Sequence, residues 1–363
     1  MRKLVAYTSA LLLLLAGLIA CRYAPPAPTQ MTLIGTAATP EIVPASTIPP
    51  GVDGSDIRGP VPEAIEALRQ MAGEHPGLAF GIEGTYAEQV PGTYDAFRVE
   101  EGAPFVGQFW LWNARLEAHE FAITCLVDHV QMPCTPDEPL VQLMTLEADE
   151  EVLLPLEIPG LARGLHDFSV TFWQDPYADH EDPEADSRVF APNIYRARVS
   201  IFVDGDTTPP TPDYENPSGQ PSHNSIDFTV SQELDPRVEG GSFPIMTHIS
   251  ASTGELFELY IHLNNRESAA IDYAVTAFIN YQQTPIYRDG EPHTPLYVHV
   301  PASTWQPVAV QVHAPDEPGH YEFIVVSTLF PFARLDVETE EYYGIESLIN
   351  NAYSPARILL EVE

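Results

Sequence analysis

Residues Phe121–Cys134 read FAITCLVDHVQMPC, and residues Tyr273–Ile286 read YAVTAFINYQQTPI. The two stretches align without a gap. Phe121 falls on Tyr273, Ala122 on Ala274, Ile123 on Val275, Thr124 on Thr276, Gln131 on Gln283 and Pro133 on Pro285. The same offset of 152 continues upstream, with Gly102 on Gly254, Phe105 on Phe257, Leu111 on Leu263 and Asn113 on Asn265. Before that the offset drifts to 148 (Phe80 on Phe228, Gly92 on Gly240), and after it to 155 (Gly164 on Gly319, Phe168 on Phe323). Loop insertions produce drifts of this kind. Internal similarity has to be read before fold. It predicts two modules, 78–205 and 226–363, of roughly 130 residues each, long enough to own separate cores.

Both modules read as strands. Phe105, Gly107, Phe109 and Leu111 alternate with Val106, Gln108, Trp110 and Trp112, and Leu259, Ile261 and Leu263 alternate with Tyr260 and His262. Val308, Val310 and Val312 repeat the period of two. Turn signals such as VPGTY, EEGAP and RDGEPH interrupt them at short intervals. The expected class is all-β, with each module a β-sandwich.

Pro318-Gly-His-Tyr-Glu-Phe-Ile-Val325 resembles the Pro-Gly-x-Tyr-x-Phe strand of immunoglobulin-like and fibronectin-like bacterial modules. The first module carries the weaker Arg163-Gly-Leu-His-Asp-Phe-Ser-Val170. The resemblance implies two tandem immunoglobulin-like sandwiches, with Tyr321 pinning a strand-to-strand corner through its hydroxyl. His166 stands where the first module would need that tyrosine. A Pro-rich linker, 206–225, is expected to run semi-extended between the modules.

The chain opens with Arg2 and Lys3, an apolar run from Leu11 to Ala20, and Cys21. A basic start and a short apolar stretch describe a signal peptide, 1–20, rather than a spanning helix. Leu18-Ile-Ala-Cys21 resembles the lipobox of bacterial lipoproteins, which implies cleavage before Cys21 and a lipid on it. The implied partner is a membrane, and the implied location is the extracytoplasmic cell envelope. Residues 21–61 are rich in Pro, Ala and Thr and read as a tether. Residues 62–77 read as a short helix and lead-in, with Pro62 in the first turn and Ile65, Leu68 and Met71 on one side.

Acidic residues outnumber basic ones 52 to 16, and Lys3 is the only lysine. Without its signal the chain holds none, which excludes a Schiff-base lysine and a lysine-bearing phosphate loop. The charge also argues against nucleic acid. Beyond Cys21 only Cys125 and Cys134 remain, and in an exported protein they read as a disulfide. With His129-Val130 at a hairpin tip, Cys125 faces Cys134 directly.

The longest connections are Gln174–Pro192 and Phe330–Asn350. Long unstructured connections in compact domains serve as binding loops, as solvated decoration or as packing between modules. Candidate binding residues are Trp173, Tyr177, Phe330, Phe332, Tyr342 and Tyr343. Trp110 and Trp112 share one side of their strand, either as a stacking platform or beneath the chain's own helix or loops. Asp175, Asp179, Asp182 and Asp186 make calcium an alternative, although their spacing fits no EF-hand loop. No cofactor or catalytic residue is assigned, since no motif for nucleophilic, metal or dinucleotide chemistry occurs. The reading is a non-catalytic cell-surface lipoprotein in a binding or spacer role, with a protein or glycan partner. The alternative is an enzyme acting on envelope glycans, or an accessory carbohydrate-binding protein.

Overall fold

The structure, a computed structural model, describes residues 77–85, 87–91, 95–177, 194–216, 219–222, 228–236, 244–337, 352–354 and 356–363. The signal, the tether and the 62–72 helix lie outside these residues. The first half contributes β1 (Leu78–Gly84), β2 (Glu88–Gln89), β3 (Ala96–Val99), β4 (Phe105–Asn113), β5 (His119–Val127), β6 (Val130–Met132), β7 (Gln142–Leu146), β8 (Glu150–Ile158), β9 (Gly164–Gln174) and β10 (Ile194–Val203). The second contributes β11 (Gln220–Pro221), β12 (Phe228–Ser231), β13 (His248–Ala251), β14 (Leu256–Asn265), β15 (Ile271–Ile279), β16 (Gln282–Thr284), β17 (Ile286–Arg288), β18 (Glu291–His293), β19 (Leu296–Val300), β20 (Thr304–His313), β21 (Gly319–Leu329), β22 (Ala352–Tyr353) and β23 (Ile358–Val362).

Each half forms two sheets. The first has β1-β4-β8 facing β2-β3-β10-β9-β5-β6, with β7 on β5. The second has β12-β14-β20-β17-β18 facing β13-β23-β21-β15-β16, with β19 on β15. The strand order recurs, down to a parallel pairing between described strands: β3 runs parallel to β10, and β13 to β23. The register recurs too, since Phe80 opposes Leu111 and Phe228 opposes Leu263. Period-two alternation sends one row of each strand inward. Phe105, Phe109, Phe121, Phe168 and Phe172 fill the first interior. Val230, Leu259, Leu263, Val275, Val310 and Phe323 fill the second. The two interiors share no residue.

Residues that matched in sequence do matched work. The Asn113 carboxamide donates to the carbonyls of Glu117 (2.8 Å), Leu146 (3.2 Å) and Glu147 (3.0 Å). Asn265 donates likewise to Ala269, Val300 and Pro301 at 2.8, 3.1 and 3.1 Å. Each thus satisfies three carbonyls at a corner where strand pairing ends. The Tyr321 hydroxyl donates to Glu317 O, four residues back, at 2.8 Å. His166 performs the same task with Nε2, which donates to Ala162 O at 2.8 Å. Its Nδ1 lies 2.7 Å from an Asp128 carboxylate oxygen. That bond to Asp128 is the main reason the His166 pKa is raised.

The Cys125–Cys134 disulfide is present, with Cα atoms 5.2 Å apart. The hairpin register differs from the one expected. Cys125 opposes Met132 and Val127 opposes Val130, so Asp128-His129 form the tip. Both tip residues have positive φ, 50° and 66°, as do Asn280 (48°) and Tyr281 (65°) at the matching hairpin. Two-residue hairpins favour this conformation because its twist matches the strands. Cys134 lies beyond β6, where its carbonyl accepts from Glu157 N of β8 at 2.8 Å. The disulfide therefore ties one sheet to the edge of the other. The second sandwich has buried Ala277 and Ile286 at these positions.

The linker differs from a free extended spacer. Glu215 bridges to Val298, and β11 pairs with Thr304 and Trp305 of β20. Tyr214 packs edge-on against Tyr297 at 5.7 Å. Tyr214, Glu215, Gln220 and Pro221 are thus bound to the second sandwich, while Thr208 O accepts from Leu165 N of the first at 3.2 Å.

Candidate functional site

In each sandwich the central strands of one sheet are buried on both faces. In β9, Phe168, Val170 and Phe172 point into the first core, and Asp167, Ser169, Thr171 and Trp173 are buried on the opposite face. In β10, Arg196, Arg198, Ser200 and Phe202 do the same. What covers them is the matching face of the second sandwich, and a seam results.

The apolar part of the seam is Ala122, Leu126 and Trp173 against Phe278, Tyr281, Ile324 and Val326. Trp173 meets Phe278 at 5.4 Å and Tyr281 at 5.0 Å. At the other end Phe332 and Tyr297 pack with Leu165, Ala96 and Phe202. Two glutamines also clasp each other across the seam. Gln131 N donates to Gln283 Oε1 at 2.7 Å, and Gln283 N donates to Gln131 Oε1 at 2.7 Å. Their carboxamides then donate across the seam, Gln131 to Tyr281 O (2.9 Å) and Gln283 to His129 O (2.8 Å).

The exchange extends to buried charges. Arg198 Nε donates to Asp167 at 2.6 Å, and its Nη1 and Nη2 reach Leu329 O (3.1 Å) and Phe330 O (2.7 Å) of the other sandwich. Arg357 pairs with Glu322 at 3.2 Å, and its Nη1 reaches Asp175 O of the first sandwich at 2.6 Å. Arg196 donates to Thr171 within its own sheet and to Thr328 across the seam. Burial alone raises the Asp167 pKa, but Arg198, His129 and Arg196 together hold it below its ordinary value. Burial, assisted by the neighbouring Arg198, brings Arg196 down to about 10.

Over each ion pair sits the second residue of a hairpin tip. Tyr281 donates its hydroxyl to Glu322 Oε2 at 2.5 Å. His129 takes the matching place near Asp167, with Nε2 3.8 Å from the carboxylate, and burial pushes its pKa down to about 3. Left-handed backbone is uncommon for non-glycine residues and worse for bulky ones. Here it places a ring in the seam.

Several of the candidate binding residues lie in this seam. Trp173 and Phe332 are buried in it. Tyr177 packs on Tyr281 at 5.2 Å, and its N–H donates to Glu322 at 3.1 Å. Phe330, whose φ of 47° matches the 51° of Asp175, offers its carbonyl to Arg198. The long loops thus begin by locking the sandwiches together, because the aromatic residues there find an apolar neighbour inside the chain. Tyr342, Tyr343, Asp179, Asp182 and Asp186 lie outside the described residues. The Asp175 carboxylate is engaged by His119 Nδ1 (2.9 and 3.0 Å) and Gln174 Nε2 (2.9 Å). Among the described residues no three His, Cys, Asp or Glu converge as a metal site.

On the outer face of β4, Trp112 is buried and its indole N–H donates to Asp149 at 2.9 Å. Trp110 is half-buried. In the second sandwich Ser231 lies 2.8 Å from His262 Nε2, a spacing that suits a nucleophile and its base. Ser231 Oγ, however, donates its proton to Glu233 O at 2.6 Å. His262 is then the donor to Ser231, the reverse of what nucleophile activation requires.

No protein-family model matches this chain, and no curated protein matches it. Solved structures similar to it include the CARDB domain of a Pyrococcus furiosus protein in complex with di-metal ions (13% identity, 35% of this chain, 94% of that one, TM-score 0.23). Red sea bream transglutaminase is similar at 12% identity over 84% of this chain and 34% of that one, with a TM-score of 0.21. Elastase-activated alpha-2-macroglobulin from Escherichia coli is similar at 9% identity over 79% of this chain and 22% of that one, with a TM-score of 0.22. Scores this low carry no inference about activity.

Proposed function

We propose that this is a non-catalytic, lipid-anchored extracytoplasmic protein. In this reading, its two immunoglobulin-like sandwiches descend from one duplicated module and present a binding surface as a single rigid unit. The observation that carries the reading is the seam. A freely jointed pair of modules leaves hydrated surface between them, whereas here buried arginines, a glutamine clasp and packed aromatics join the two. Inter-domain contacts default to small, polar and mobile ones, and a buried apolar seam with paired charges departs from that default. Rigidity suits a spacer or recognition unit on a tether, because a partner then meets one preorganised surface. The shared strand order and the matching roles of Asn113 with Asn265 and of Arg198 with Arg357 support duplication.

Calorimetry tests the unit. One cooperative transition spanning both sandwiches is expected, and two independent transitions overturn the reading. Anchoring is tested at Cys21. Cys21→Ser is expected to abolish incorporation of labelled fatty acid and to release the protein from the membrane fraction, whereas unchanged fractionation removes the anchor.

A further inference from the structure

With one sheet of each sandwich sealed in the seam, the outer face of β1-β4-β8 is the sheet surface the first sandwich retains. Three rungs cross it: Ala79–Trp112–Glu151, Gly81–Trp110–Leu153 and Glu83–Gln108–Pro155. A Cβ at Gly81 would lie 2.7 Å from Trp110 Nε1 and 2.9 Å from Cε2. The indole therefore occupies the volume that a side chain at position 81 would fill. Its Nε1–Cε2–Cζ2 side reaches over the neighbouring strand. Leu153, on the same rung, is 51% exposed. On the next rung Gln108 Nε2 donates to Glu83 Oε2 at 3.1 Å, which leaves a carboxylate oxygen and a carboxamide oxygen as further acceptors.

We propose that this face binds a neutral glycan, with a sugar ring stacked on Trp110 and its hydroxyls donating to Glu83 and Gln108. The inference rests on the reading of the chain as a recognition unit. A half-buried indole offers its exposed part to the apolar C–H face of a pyranose. The adjacent acceptors match hydroxyl donors. Charge selects among glycans, because 52 acidic residues against 16 basic ones, with Glu83 and Glu151 flanking the indole, repel a polyanion. The flanking carboxylates also disfavour a protein partner, since interface cores are depleted of charged residues. The apolar rung is one residue wide on each strand, which suits a chain of single rings. The matching face of the second sandwich differs, with the half-buried Tyr260 beside His262. His262 stands where Trp110 would be and is stacked on the buried Trp305 at 5.6 Å and 9°.

The assay is built into the chain. Of its four tryptophans, Trp112, Trp173 and Trp305 are buried, so fluorescence accessible to quencher reports Trp110. The full chain is titrated with β-glucan, xylan and α-mannan, with polygalacturonate as the anionic comparison. At least one neutral polymer is expected to shield Trp110 from acrylamide and to retard the chain in affinity gels. Trp110→Ala is expected to weaken retardation at least tenfold. Gln108→Ala, which leaves the indole in place, should weaken it severalfold. The proposal is overturned if no neutral polymer binds, if the anionic polymer binds better, or if Trp110→Ala and Gln108→Ala both bind as the parent does. Failure here alongside a single calorimetric transition removes the glycan and leaves the rigid unit standing.

Discussion

Arg198→Met removes the centre of the seam. Its guanidinium is fully buried, donates to Asp167 at 2.6 Å, and reaches Leu329 O and Phe330 O at 3.1 and 2.7 Å across the seam. Methionine fills much of the aliphatic volume, so the loss is mostly electrostatic. Asp167 is left buried without its principal counter-charge, and two carbonyls lose a donor. Breaking a buried pair from one side costs about 3–5 kcal/mol. For folded units of this size roughly 2–4 °C accompany each kcal/mol, so Tm should fall by roughly 6–20 °C. The unfolding profile should also split, because the seam that couples the sandwiches is damaged while the two cores stay intact. Asp167→Leu combined with Arg198→Met removes the stranded charge and should recover most of the loss, since replacing both members of a buried pair is often near neutral. Differential scanning calorimetry on parent, single and double variants reads all of this. A single variant within about 1 kcal/mol of the parent, the size of an exposed ion pair, would refute the reasoning. So would a double variant no better than the single.

Other expectations follow from matched residues. Gln131→Ala and Gln283→Ala should each cost about 1 kcal/mol in denaturant unfolding, for lost part-buried bonds across the seam. The double variant should cost less than their sum, and strict additivity would deny the clasp. His166 has a raised pKa, caused first by its bond to Asp128. Its contribution is therefore complete below its unfolded value near 6.5 and fades as pH rises through the folded value. His166→Tyr, which keeps the bond to Ala162 O as Tyr321 does at Glu317, should flatten the slope of Tm against pH in that window, and an unchanged slope would assign it elsewhere. Cys125→Ser with Cys134→Ser should cost roughly 2–3 kcal/mol. Cys125→Ala with Cys134→Ile, the pair found in the second sandwich, should cost measurably less, and equal costs would mean the two corners are not equivalent.

The sandwich cores were legible because period two needs only the order of residues. Phe105 to Leu111 and Leu259 to Leu263 alternate without interruption, and each row is buried as read. Tyr321 was legible because its corner is local, four residues from acceptor to donor. The seam was not. Asp167, Ser169 and Thr171 alternate with Phe168, Val170 and Phe172, and a polar row opposite an apolar one reads as a solvent face. Alternation separates two faces but does not say what covers the polar one. Two arginines, Arg198 and Arg357, each matched by a carboxylate, Asp167 and Glu322, were the available signal. It becomes readable only once register places each beside its carboxylate. The hairpin tip was misplaced by one residue for a similar reason. Neither tip carries the glycine that marks such turns, and Asn280, aligned with Asp128, was the hint that positive φ begins there. Proline told that the linker is extended, but not that Tyr214, Glu215 and Gln220 give it a surface to lie on.

The account stands on two sandwiches held in one fixed arrangement. Leu116, 86% exposed on the first, and Asp289, 88% exposed on the second, are suitable positions for cysteine-linked spin labels. Pulsed electron double resonance between Leu116→Cys and Asp289→Cys should give a single narrow distance distribution that broadens when Arg198→Met is added. A distribution already broad in the parent seam, and unmoved by that substitution, would contradict the account.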